Sequence, residues 1–107
     1  MSHKVLIVDD EPDIRELLEI TLGRMDLSTL SASNLEEARN HLNSNDFHLC
    51  LTDMKLPDGN GIELVREIQS DYPHIPVAVI TAHGSTETAI SALKSGAFDF
   101  VSKPVDI

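Results

Sequence analysis

Five short runs of strand-forming residues, each separated from the next by an amphipathic stretch, set the strongest constraint on how this chain folds. They fall at residues 5–8, 27–32, 47–52, 77–80 and 98–101. The first, Val-Leu-Ile-Val, has no polar member and reads as a strand buried on both faces. The second is weaker. The stretches between them carry helical spacing. Pro12 suits the first turn of a helix, and Ile14, Leu17, Leu18, Leu22 and Met25 fall on one face, with Arg15, Glu16 and Glu19 off it. Asn34 with Glu37 three residues on is related to a capping box, and Leu35, Ala38 and Leu42 form the stripe behind it. Ile62, Val65 and Ile68 mark a third helix. Residues 86–94 mark a fourth, with Ala89, Ile90 and Leu93 expected inward and Gly96 as its stop. Between the third strand and third helix, Asp58-Gly59-Asn60-Gly61 reads as a loop of turn formers, with Asp58 and Gly59 shaping it. Strict β-α alternation predicts an α/β domain with a parallel sheet and helices on both faces. The right-handed crossover rule limits its topology.

In open parallel sheets, ligands bind beyond the carboxyl ends of the strands. The first run ends in Asp9-Asp10, the third in Asp53, the fourth in Thr81 and the fifth in Lys103. Taken singly, each has an ordinary structural use: acids after strands make turns and caps, a threonine suits a strand, and a lysine can neutralise buried acids. Together they bring three carboxylates, a hydroxyl and an ammonium to one edge. Three clustered carboxylates repel one another and raise one another's pKa, which a cation relieves. A carboxylate-only ligand set suits a hard ion, and Mg²⁺ fits best because it takes few protein oxygens and keeps waters and phosphate oxygens. With Lys103, such a site favours a phosphoryl group. Thr81 could donate to a phosphoryl oxygen, and the small Ala82 keeps access open. Asp53 is the best-placed nucleophile, since a carboxylate can itself attack phosphorus.

Composition excludes several alternatives. Eighteen acids against eight Lys plus Arg leave a formal charge of −10, the wrong sign for gripping nucleic acid or an anionic membrane. No apolar stretch approaches the roughly 18 residues of a membrane span, and the N-terminus has no signal-peptide pattern, so a cytoplasmic location is expected. Cys50 is the single cysteine and lies in an apolar run, which predicts a buried thiol. His3, His41, His48 and His74 are scattered without ligand spacing.

Asp9-Asp10, Asp53, Thr81-Ala82 and Lys103-Pro104 resemble, as a set and along the whole chain, the receiver domain of two-component response regulators. The resemblance implies a doubly wound, five-stranded sheet of order 2-1-3-4-5, as in flavodoxin-like and chemotaxis-type receivers. It implies that Asp53 accepts a phosphoryl group from a sensor histidine kinase. Mg²⁺ would be held by Asp10, Asp53 and the backbone carbonyl of Lys55, with Asp9 acting largely through water. Lys103 and Thr81 would bind the phosphoryl oxygens, and Phe100 would turn inward as Thr81 moves. Lys103-Pro104 would be a cis peptide, and Lys55 and His83 would tune the phosphoryl lifetime. The face of the fourth helix and fifth strand would be the output surface. Ala82 through Gly84-Ser85-Thr86-Glu87-Thr88-Ala89-Ile90 to Gly96-Ala97-Phe98-Asp99-Phe100 is similar to the NtrC-like activators of sigma54 transcription. Within that subfamily, residues 11–25 and 49–54 resemble a regulator of type IV pilus expression.

The resemblance also implies a self-phosphorylating acceptor that dephosphorylates itself and is no turnover enzyme. Its partners would be the kinase and the effector domains of a longer transcription factor. Residues 1–107 are expected to form a receiver that stops before a fifth helix, at Pro104-Val105-Asp106-Ile107, leaving one sheet face partly uncovered and prone to homodimerise. Three rivals stay open. A non-phosphorylated pseudo-receiver would serve only as a dimerisation module. An Mg²⁺-dependent aspartyl phosphatase would want a second acid where Asp53-Met54-Lys55 has lysine. A flavodoxin-like electron carrier would want a phosphate-cradling loop where Asp9-Asp10-Glu11-Pro12 is acidic.

Overall fold

A computed structural model describes residues 3–81 and 86–102; Ala82, His83, Lys103 and Pro104 lie outside the described residues. Among the described residues, the five strands of the main sheet, β1 (Lys4–Val8), β2 (Ser28–Ala32), β3 (Leu49–Asp53), β4 (Val77–Thr81) and β5 (Asp99–Ser102), alternate with four helices, α1 (Pro12–Arg24), α2 (Leu35–Ser44), α3 (Gly61–Asp71) and α4 (Thr86–Ser95). All neighbouring strands run parallel in the order β2-β1-β3-β4-β5. This is the doubly wound order that the resemblance implies.

Alternation along the strands divides the core in two. Leu6, Val8, Cys50, Val77 and Val79 belong to the larger cluster, with Leu35, Ala38 and Leu42 of α2, Leu64, Val65 and Ile68 of α3 and Ala92 of α4. Val5, Ile7 and Ile80 belong to the smaller one, packed with Leu18 and Leu22 of α1. The α1 stripe is narrower than its spacing suggests: Leu17 and Met25 are exposed. In α4, Ala89 and Ala92 are the buried pair, whereas Ile90 and Leu93, expected inward, face out. Helical spacing groups these residues on one face, but only the part of that face that meets the sheet is buried.

Helix starts follow local chemistry. Asn34 accepts from Glu37 N at 2.8 Å, while the Glu37 carboxylate reaches back to Ser33 N at 2.9 Å. Asn60 and Glu63 form a full capping box at α3. Residues 58–61 are therefore more ordered than a plain loop. Lys55–Leu56 pairs antiparallel with Gly59–Asn60 in a short ribbon, and Gly61 already belongs to α3. The strand ends shift by a residue or two from the sequence reading. Phe47 is buried but precedes β3, and Asp53 and Thr81 are the last strand residues rather than the first beyond.

Candidate functional site

The carboxyl ends of β1, β3 and β4 meet at one edge of the sheet. Val8 pairs with Thr52 and Asp53 with Ile80, so Asp9, Asp53 and Thr81 lie at nearly one level. Asp9 is 0 % exposed, Asp53 6 % and Thr81 2 %. Asp10 and Glu11, on the β1–α1 connection, are exposed. One carboxylate oxygen from each of Asp9, Asp10, Glu11 and Asp53 lies within 4.8 Å of all the others. Two full charges at such a separation repel by roughly 3–4 kcal/mol at an effective dielectric of about 20.

Backbone amides and one guanidinium hold this arrangement. Asp9 N donates to Ala32 O at 3.0 Å, tying the acidic turn to the end of β2. Asp9 Oδ1 accepts from Glu11 N at 2.8 Å, and Arg15 Nη1 donates to the Asp9 carbonyl at 2.7 Å. At Asp53, Oδ1 accepts from Met54 N at 2.7 Å, and the buried Thr52 hydroxyl donates to the Asp53 carbonyl at 3.0 Å. Pro12, in the first turn of α1, removes an amide that would otherwise need a partner.

The donor set is all oxygen, which suits Mg²⁺ or a similarly hard cation and disfavours the soft metals that seek thiolate or imidazole. Among the described residues, no other group of three or more Asp, Glu, His or Cys offers a comparable convergence. Cys50 is buried, and burial pushes its thiol up to about 12, so it stays protonated and inert at neutral pH.

Sequence-predicted residues divide as follows. Asp9, Asp10, Asp53 and Thr81 are at the edge. Lys55 is exposed two residues past Asp53 and pairs with Asn60 in the ribbon. Phe100 lies on β5 opposite Val79 with 41 % of its surface exposed. Glu11, Arg15 and Asp58 were missed. Glu11 was legible as a third consecutive acid. Arg15 has no local signal beyond lying off the apolar stripe. By its local sequence Asp58 is a turn former, but its carboxylate accepts from Leu35 N at 2.8 Å and Glu36 N at 3.1 Å, at the start of α2. These amides, the Leu35 one foremost, hold the Asp58 carboxyl below its ordinary range.

A family profile for the response regulator receiver domain matches residues 5–107. The chain is 67 % identical over 105 residues to the response regulator protein PilR of Pseudomonas aeruginosa, covering 98 % of this chain and 24 % of that protein. It is 36 % identical over 103 residues to the DNA-binding transcriptional regulator NtrC of Escherichia coli K12, covering 96 % of this chain and 22 % of NtrC. It thus spans about a quarter of the length of these curated relatives. Among solved structures, the beryllofluoride-activated NtrC4 receiver domain dimer superposes with a TM-score of 0.89 at 36 % identity, covering 96 % of this chain and 85 % of that one. The receiver domain of NtrX from Brucella abortus superposes at 0.90, also at 36 % identity, covering 95 % and 87 %.

Proposed function

The chain belongs to the response regulator receiver domain family, and from that premise we propose that Asp53 is the phosphoacceptor of a two-component switch. Its donor is a phosphohistidine on a sensor kinase. One observation carries the assignment. Asp53 is the nearly buried carboxylate at the end of the central strand, and its oxygen converges with those of Asp9, Asp10 and Glu11. An Asp53 oxygen forms a bond to phosphorus as the P–N bond breaks, and the electron pair returns to the histidine ring. The product is an acyl phosphate.

Asp10, Asp53 and the Lys55 carbonyl would hold Mg²⁺, with Asp9 acting largely through water. When bound, the ion offsets charge on the transferring group. Thr81, placed just beyond the level of Asp53, donates to a phosphoryl oxygen. Lys103 pairs with the same group, and Ala82 leaves room for it. Lys55 and His83, two residues past Asp53 and Thr81 in the sequence, would tune the phosphoryl lifetime. Positioning and charge do most of the work, as in phosphoryl transfer generally.

The output is a population shift. Thr81 moves toward the phosphoryl group and Phe100 turns inward; its ring has no hydroxyl, so burying it strands no polar group. Phosphorylation favours that state over a resting one already in equilibrium with it. The exposed Ile90, Leu93, Phe98 and Phe100 on the α4–β5 side support that face as the output surface. In a cytoplasmic, longer NtrC-like protein, it would control a transcription-activating ATPase and DNA-binding portion governing type IV pilus expression. The acidic receiver itself would not bind the nucleic acid.

The test adds acetyl phosphate or beryllofluoride with Mg²⁺ to the wild type and to Asp53→Ala. Amide chemical shifts around Thr81 and Phe100 and the scattering mass are read. The wild type is expected to respond and the variant to stay at baseline. Equal responses overturn the assignment.

A further inference from the structure

We propose that Asp58 is a positioning residue for the site: its carboxylate clasps the start of α2 and thereby fixes the backbone of the connection that carries the Lys55 carbonyl. The inference rests on the reading above that this carbonyl is a cation ligand. The first amides of a helix have no intrahelical acceptor. In α2, Asn34 takes the amide of Glu37 at 2.8 Å. Asp58, 23 residues downstream of Leu35, takes those of Leu35 at 2.8 Å and Glu36 at 3.1 Å. A carboxylate there also meets the positive end of the helix dipole. One local and one remote residue thus share the cap.

The remote half of that cap reaches the site through few free bonds. Leu56 pairs with Gly59 and Lys55 with Asn60, so Pro57 and Asp58 form the tip of a ribbon whose base adjoins Asp53. Pro57 fixes its own φ. A Cβ at Gly59 would overlap Leu35 Cδ1 and Glu63 Oε2, so the ribbon is seated directly on α2 and α3. At the base, Gly61 N donates to Met54 O at 2.8 Å. With tip and base both held, the Lys55 peptide keeps one orientation before any cation arrives. Without the tip, the ribbon is a two-pair hairpin, too short to hold itself.

The experiment measures Mg²⁺ affinity by calorimetry and loop order by amide hydrogen exchange in the metal-free chain. It compares wild type, Asp58→Ala, Asp58→Asn and Arg39→Ala. Arg39 is the control because its guanidinium hydrogen-bonds Glu67 across α2–α3 (2.7 Å) and reaches Asp58 through charge alone, leaving the amides of Leu35 and Glu36 on the Asp58 carboxylate. Asp58→Ala is expected to speed exchange at residues 55–60 and to weaken Mg²⁺ binding about ten-fold, the scale of lost outer-shell support. Asp58→Asn, which keeps one acceptor oxygen, is expected in between, and Arg39→Ala is expected to bind as the wild type does. Wild-type binding with undiminished affinity in Asp58→Ala overturns this proposal alone. So does an equal loss in Arg39→Ala, which would mean general loosening. A wild type that binds no Mg²⁺ overturns the underlying reading and this proposal with it.

Discussion

The β1–α1 connection reaches the site in residues 9–11 and supplies three of its four carboxylates. The β3–α3 connection takes residues 54–60 and follows the fourth, Asp53, with a structured ribbon. Their supports differ in kind. The first is held by Arg15 on the Asp9 carbonyl and by Asp9 on Glu11 N, and α1 begins without a side-chain cap. The second has the Asp58 clasp, the Asn60–Glu63 capping box and the Gly61–Met54 bond. Charge is concentrated where the backbone is short. Backbone precision is concentrated where a carbonyl, which has no rotamer of its own, would have to be aimed.

Gly61→Ala gives the largest expected effect. A Cβ there would overlap the Asp53 carbonyl oxygen, a backbone atom at the end of the central strand with little room to step aside. Overpacking of this sort costs about 2–3 kcal/mol, or on the order of 10 °C in melting temperature for a domain this small. A thermal or urea melt reads it. A loss near zero would show that the β3–α3 connection yields easily and would break the contrast with the first connection.

Arg15→Ala tests the other side. It removes the half-buried guanidinium donor from the carbonyl of the fully buried Asp9, 2.7 Å away. The expected cost is about 1–2 kcal/mol, toward the lower part of the roughly 1.5–3 kcal/mol of a hydrogen bond to a charged group because the guanidinium is partly exposed. Arg15→Lys is expected to recover little, because the lysine ammonium has a shorter reach toward the Asp9 carbonyl. Urea melts of the three proteins measure this. A cost as large as that of Gly61→Ala would mean that the two connections are equally dependent on their braces.

Much of this arrangement was legible from residue order, for identifiable reasons. The unbroken run 5–8 and the acids at the ends of β1 and β3 follow from strand periodicity and from ligands lying beyond strand ends. Asn34 and Glu37 act within three residues of each other, so their capping appears in the sequence itself. Asp58 acts on Leu35 across 23 residues, and nothing local distinguishes it from an ordinary turn former. Arg15 shows the same limit: helical spacing puts it off the apolar stripe but does not say that it folds back onto Asp9. The outward placement of Leu17, Met25, Ile90 and Leu93 has a third cause. Spacing defines a helix face, but only the neighbouring elements decide how much of it is covered.

The smallest expected effect is a pH dependence, and it belongs mainly to the better-braced side. The amides of Leu35 and Glu36 hold Asp58 below its ordinary 3.8, and the amide and hydroxyl of Ser33 hold Glu37 below its ordinary 4.5. Both are carboxylates whose folded pKa is depressed. Their stabilising contribution is therefore complete above those ordinary values and is lost as pH falls through the folded ones. Melting temperature should thus show no pH dependence from these two groups between about pH 7 and pH 5, where both contribute in full, and should begin to lose first the Glu37 and then the Asp58 share below 4.5 and 3.8. Both side chains are exposed, so solvent screens the effect and its size is modest. Thermal melts of wild type, Glu37→Gln and Asp58→Asn across this range isolate each share. Each variant should start lower at neutral pH and fall less steeply in acid. Parallel acid slopes for Asp58→Asn and wild type would remove charge from the clasp and leave only its geometry. The β3–α3 connection would then differ from the β1–α1 connection in using no carboxylate charge to hold its shape.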